Sequence, residues 1–219
     1  MEVRGLPGDR RAERFVRLGA GLVLYGVSDA LLLLAGLGVD PWDVLHQGLS
    51  RTVGLSVGMW TNLVGAVVLL AWVPLRQRPG IGTLANILTI GTVVDIVLAT
   101  APAPSGTPAR TVLLVAGIGL SGIATGLYVG AGLGPGPRDG LMTGIAARGR
   151  SIRVVRTTIE VGALTAGWLL GGNVGIGTLA YAGAIGPIVH FTLPALQLRP
   201  ATPRSVRRSK RSPARLAGG

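Results

Sequence analysis

Apolar residues run along this chain in six long stretches, at about 17–36, 57–74, 81–99, 111–131, 154–171 and 175–196. Each approaches the roughly 20 residues a helix needs to cross the hydrocarbon core of a bilayer. Two shorter segments, Asp40 to Thr52 and Gly136 to Arg148, follow the first and fourth stretches. They mix polar and apolar positions and are too short to cross. The pattern predicts an all-α polytopic membrane protein with six transmembrane helices and two short helices. Those short helices are either re-entrant, surrounded by protein or water, or amphipathic and lying at the interface.

Both short segments open with helix-start signals. Asp40 fits an N-cap, Pro41 the first helical position and Asp43 the third, where a carboxylate favours the exposed amides. Gly136, Pro137 and Asp139 take the same places in the second segment. In the first, Trp42, Leu45 and Leu49 share one face, and Asp43, His46, Gln47 and Ser50 offer polar contacts.

These segments belong to an internal repeat. "GLGVDPWDVL" at Gly36 matches "GLGPGPRDGL" at Gly132, "GLSV" at Gly54 matches "GRSI" at Gly149, and "GIGTLA" occurs identically at Gly80 and Gly175. Gly91 matches Gly186. An ordered series at near-constant spacing marks duplication. Each unit holds three spans, at 17–99 and 111–198, so the second must enter the membrane from the opposite side. The expected fold is thus two inverted three-helix repeats, each with a short helix, as in many secondary transporters. Flanking them are a basic N-terminal arm, residues 1–16, and a basic, disordered tail, residues 199–219.

Charge then sets the orientation. Only 14% of residues are charged and the net charge is +12, against about 25% charged in soluble domains. Of 21 Lys and Arg residues, all but Arg51 and Arg110 fall on one side of a six-span scheme. That bias predicts a multi-pass membrane protein with both termini cytoplasmic, and the first run, long for a signal peptide and followed by no A-x-A site, is expected to remain as an uncleaved span. The bias also explains the net charge without nucleic acid, since no aromatic residues interleave with the basic tail. Cysteine is absent, which excludes disulfide and thiol chemistry.

Ionisable groups inside the bilayer are costly and ask for a reason. Asp29 lies eleven residues past Leu18, about 16 Å along a helix, near mid-membrane. Asp29, Asp43 and Asp139 are the leading candidates for a proton or cation pathway. Asp95 and His190 are repeat partners near span ends, His46 could also line a path, and Thr83 and Thr178 either cap the helices they start or line a cavity. Asp40, Pro41, Gly136 and Pro137 mark the starts of the short helices. Arg156 and Glu160 have the spacing of a structural ion pair. Gly122, Gly126, Gly130 and Gly134 form a smooth stripe for helix packing, and Ala163, Gly167 and Gly171 repeat it. No ligand cluster accompanies either histidine along the chain, so neither a metal nor a cofactor is expected. No nucleophile–base–acid set appears, and an enzyme is not expected.

The break G-L-G-V-D-P-W-D-V-L-H-Q-G-L, the G-I-G-T-L segment and the six-span layout resemble the YczE/YitT-like group of bacterial integral membrane proteins, over about Phe15 to Leu198. Gly38, Pro41, Asp43, Gly80, Gly82 and Thr83 match that pattern, whereas Arg138 and Met142 replace its tryptophan and histidine in the second unit. The resemblance implies a plasma-membrane location and no particular activity. Two functions are therefore expected in competition. One is an ion-coupled secondary transporter of a small solute. The other is a non-catalytic accessory or assembly protein that acts through its glycine-striped helices on a second copy or another membrane protein.

Overall fold

The first apolar run, with no proline to break it, forms α1, Arg11–Ala35. At 25 residues it is about 37 Å long, and it begins a turn and a half earlier than the apolar run because Glu13, Arg14 and Arg17 extend it. Arg17 pairs with Glu13 at 2.8 Å, one helical turn apart. The computed structural model describes residues 10–198, so the expected arm at 1–16 lies largely, and the expected tail at 199–219 wholly, outside the described residues.

Eight further helices follow among the described residues, with no strand: α2, Pro41–Val53; α3, Val57–Leu70; α4, Trp72–Leu75; α5, Ile81–Thr100; α6, Gly106–Gly130; α7, Pro137–Ala146; α8, Ile152–Leu169; and α9, Ile176–Leu196. The segments α2 and α7 are the two expected short helices. Five elements are long and apolar enough to cross a membrane: α1, α3 continued into α4, α5, α6 and α9. The fifth expected span corresponds to α8, which does not reach that standard by composition. Arg153, Arg156 and Glu160 all lie in its first half.

At the centre, α1 and α6 pack antiparallel along their whole length. Arg14 Nη1 donates to the Ala131 carbonyl at 2.6 Å. Gly21 lies against Tyr128, and Gly117 lies against Leu32. Ser28 Oγ donates to the Gly117 carbonyl at 2.8 Å. At the far end Arg110 Nε donates to the Ala35 carbonyl at 2.6 Å and its Nη2 to that of Gly36 at 2.9 Å. These carbonyls end α1 and α6, where no intrahelical donor remains.

Around this pair, Leu18, Leu22, Ile90, Val94, Tyr128 and Leu133 join α1, α5 and α6 in one core. Leu32, Val39, Val44, Leu114, Ile118 and Tyr181 form a second against α9. A third, with Trp42, Val68, Met142, Val155 and Ala163, holds the short helices between α3 and α8. The outer faces are the reverse of a soluble protein's. Val67, Leu88, Val115, Leu179 and Phe191 are all exposed. Such a sheath needs lipid, and the helices contact the bilayer through it.

Candidate functional site

The site is built at the two chain breaks. Gly36 closes α1 with φ +60, and Gly38 follows at φ +106. The second break repeats this with Gly132 at +68 and Gly134 at +126. Each break seats against the start of a helix in the other half. Gly177 N donates to the Leu37 carbonyl at 2.8 Å, and Gly82 N to that of Leu133 at 2.9 Å. A Cβ on Gly38 would lie 2.6 Å from Gly175 N, so that position needs glycine for both its backbone and its space. Thr83 and Thr178 lock these seats. Thr83 Oγ1 accepts from Gly80 N at 3.2 Å and donates to the Pro135 carbonyl at 2.8 Å. Thr178 Oγ1 accepts from Gly175 N at 3.3 Å.

The first break delivers α2 with its N-terminus buried. Asp40 Oδ1 accepts from Trp42 N at 2.7 Å and Asp43 N at 3.1 Å, as its capping position predicts. Asp43 Oδ1 lies 3.1 Å from His46 Nδ1, which also lies 3.1 Å from Thr61 Oγ1. The threonine hydroxyl donates to the Val57 carbonyl at 3.0 Å. A proton on His46 Nδ1 would serve both Asp43 Oδ1 and Thr61 Oγ1, while His46 Nε2 and Asp43 Oδ2 have no partner among the described residues. Asp29 enters from α1. One carboxylate oxygen from each of Asp29, Asp40 and Asp43 lies within 4.8 Å of the others. Spacing along the chain offers no ligand grouping, but the fold makes one, because the break turns the chain back onto α1.

The second break delivers α7, capped at Gly136 without a side chain. Its start meets that of α2: the Arg138 guanidinium sits over the Trp42 ring, 4.9 Å from the centroid. Tyr128 donates to Asp139 Oδ2 at 3.0 Å. Trp72 Nε1 donates to the Pro137 carbonyl at 3.0 Å, and its indole covers Gly140. Asp139 therefore faces Tyr128, apart from the three-carboxylate cluster. A cavity of about 470 Å³ lies between these parts, with Arg138, Asp139, Asn86 and Thr61 in its wall. A smaller one, about 70 Å³, reaches Asp40 between Tyr25, Trp42, Arg138 and Tyr181.

Other sequence candidates fall elsewhere. Asp95 caps α3: Ser56 Oγ donates to its Oδ2 at 2.5 Å and Gly58 N to its Oδ1 at 2.9 Å. His190 is exposed and meets Phe191 edge-on, with ring centroids 5.6 Å apart. Arg156 Nε and Glu160 Oε1 pair at 2.8 Å, as their spacing predicts. The glycine stripe expected along α6 is consumed internally: Gly122 faces Ile188, Gly126 faces Thr192 and Leu196, and Gly130 faces Gln197, but Gly134 lies past the end of the helix, in the second break against Gly80 and Thr83. Tyrosine adds functional positions beyond those candidates. The chain has three, Tyr25, Tyr128 and Tyr181, and all three line the large cavity. A phenol inside an apolar span is the signal that could have found them, since its hydroxyl needs a partner.

No solved structure matches the chain. The sequence matches the family of unknown function DUF6198 over residues 12–194. It is 40% identical over 183 residues to an uncharacterized protein of Haemophilus influenzae, covering 83% of this chain and 84% of that one. It is 38% identical over 181 residues to the uncharacterized membrane protein YczE of Bacillus subtilis, covering 80% and 83%. The uncharacterized protein YyaS of Bacillus subtilis is 26% identical over 189 residues, covering 84% and 94%. With five apolar helices long enough to cross a bilayer and these relatives along most of its length, the chain belongs to the DUF6198 family as a YczE-like membrane protein.

Proposed function

We propose that this protein is an ion-coupled secondary transporter of a small solute in the plasma membrane. In this reading it has six spans arranged as two inverted repeats, re-entrant short helices and cytoplasmic termini. One observation carries the reading. The cavity of about 470 Å³ opens beside the start of α7, whose Arg138 reaches over Trp42 of α2, and Thr61 and His46 link its wall to the buried carboxylates. Buried carboxylates are expensive inside a bilayer and there commonly mark ion or substrate pathways.

The inverted arrangement is supported by contacts that recur at the repeat spacing. Arg14 and Arg110 stand 96 residues apart, as do their acceptors Ala131 and Ala35. The pairs Gly177–Leu37 and Gly82–Leu133 are related in the same way. One departure from symmetry favours transport. Gly58 and Gly91 bring α3 and α5 into backbone contact, whereas Gly186, the repeat partner of Gly91, has nothing within 4 Å and lines the cavity. The seam is closed in one half and open at the matching place in the other, an asymmetry that gating of one repeat against the other would use. The accessory reading loses its main surface, because the glycine stripe of α6 already packs on α9.

The test is flux in proteoliposomes. Purified protein under a proton or cation gradient should accumulate at least one solute from a broad panel of small organic ions. Asp29→Asn should abolish that flux while the protein stays folded. Silence from folded protein across the panel, with no dissipation of the gradient, overturns the proposal.

A further inference from the structure

Asp40 and Asp43 belong to one helix start, where carboxylates are ordinary capping groups. Asp29 is different. It comes from α1, is fully buried, and has neither carboxylate oxygen hydrogen-bonded. Asp40 Oδ2 and Asp43 Oδ2 also lack partners. Asp29 thus brings two unpartnered oxygens and Asp40 and Asp43 one each, and one oxygen from each of the three residues lies within 4.8 Å of the others, where like charges repel. Arg138 stands on the wall of the pocket that reaches Asp40. Among the described residues, however, its guanidinium forms no ion pair with any of the three carboxylates. The cluster asks for a positive charge inside it, not beside it.

We propose that Asp29, Asp40 and Asp43 bind a divalent metal cation of calcium size. Three carboxylates offset by one guanidinium leave two negative charges, which a divalent ion balances and a monovalent ion does not. Calcium takes oxygen ligands at about 2.3–2.6 Å and accepts carboxylates in bidentate mode, so two ligands across the ion stand about 4.8 Å apart. The three oxygens lie within that span of one another. Magnesium is smaller, demands near-octahedral ligands at about 2.0–2.1 Å and dehydrates reluctantly, so it is seldom held by a cluster of protein carboxylates alone. The pocket of about 70 Å³ beside Asp40 has room for water to complete a calcium shell. His46, through Asp43 Oδ1, and the amides of Trp42 and Asp43, through Asp40 Oδ1, fix two of the ligands from outside.

The site is that of the proposed transporter, but the binding claim needs no transport, and the two can fail separately. Chelator-treated protein in detergent is heated with calcium, magnesium or sodium added. Calcium at a hundredfold excess over its dissociation constant should raise the unfolding midpoint by roughly 5–10 °C, and magnesium or sodium by much less. Asp29→Asn should remove the calcium response, and Asp139→Asn should keep it. If Asp29→Asn does not fold, Asp40→Asn serves in its place. Terbium should luminesce through Tyr25, Tyr181 or Trp42 and be displaced by calcium. No calcium response, a response equal with sodium, or a midpoint that follows pH but not metal overturns the inference. Calcium binding without flux sinks transport alone, and flux without calcium binding sinks the metal site alone.

Discussion

Arg14, in the first turn of α1, donates to the carbonyl of Ala131, just past the end of α6, at 2.6 Å. The same bond recurs 96 residues on, where Arg110 in the first turns of α6 caps Ala35. Each central helix therefore closes the open end of the other. A cation at a helix C-terminus also meets the negative end of the macrodipole. Arg110 is one of two arginines on the arginine-poor side of the proposed topology, and the other, Arg51, donates to the Gly171 carbonyl. Both exceptions to the charge bias are thus tied to backbone.

Arg14→Ala and Arg110→Ala should each cost about 1.5–3 kcal/mol, the range for hydrogen bonds to a charged group. The two contacts sit at opposite ends of helices about 37 Å long, so the losses should add in the double variant. Thermal unfolding in detergent measures this. A double variant no less stable than either single one would mean that the caps are not independent.

Gly38 and Gly54 both hold positive φ, but only Gly38 is crowded. Gly54→Ala should cost only the left-handed strain, about 1–2 kcal/mol. Gly38→Ala must also push apart the backbone at Gly175, and should prevent the protein accumulating in membranes. Expression level and unfolding midpoint together separate the two effects.

The proposed inversion predicts opposite exposure for Thr52 and Ala147, which lie near the ends of α2 and α7. The chain has no cysteine, so single cysteines give clean labels. From outside intact cells, a membrane-impermeant maleimide should modify Thr52→Cys and leave Ala147→Cys untouched. Labelling of both from outside removes the inverted topology.

Asp95 and Asp29 should part company. Asp95→Asn weakens the cap on α3 and should cost about 1.5–3 kcal/mol while sparing flux. Gly186→Leu should do the reverse. Its side chain enters the cavity where nothing stands in the way, and it should cut solute binding roughly tenfold or more with the midpoint unchanged. Solute binding and unfolding, measured on the same preparations, decide both.

Most of the helices and their caps could be read from the residues, because they depend on near neighbours. Apolar runs set the long helices, Asp40–Pro41 and Gly136–Pro137 set where the short ones begin, and Arg156–Glu160 paired as their spacing implied. The site was only half legible. Asp29 stood out because charge is rare in an apolar run, and Asp43 because it follows a cap. Nothing in their order revealed that Asp29, Asp40 and Asp43 share one volume, or that Arg138 and Trp42 meet across the two short helices.

The sequence by itself determined which segments are apolar, where they stop, and that one half echoes the other, since composition, capping and repetition are written residue by residue. Tertiary structure decided which ends touch. The left-handed turns at Gly36 and Gly38 bring the start of α2 back to Asp29 of α1, while the rest of α2 packs on α8 and α3, and the start of α7 meets that of α2 through Arg138 and Trp42. Only that folding gathers Asp29, Asp40 and Asp43 into one cluster and sets Arg138 and the three tyrosines in the walls of the cavities beside it.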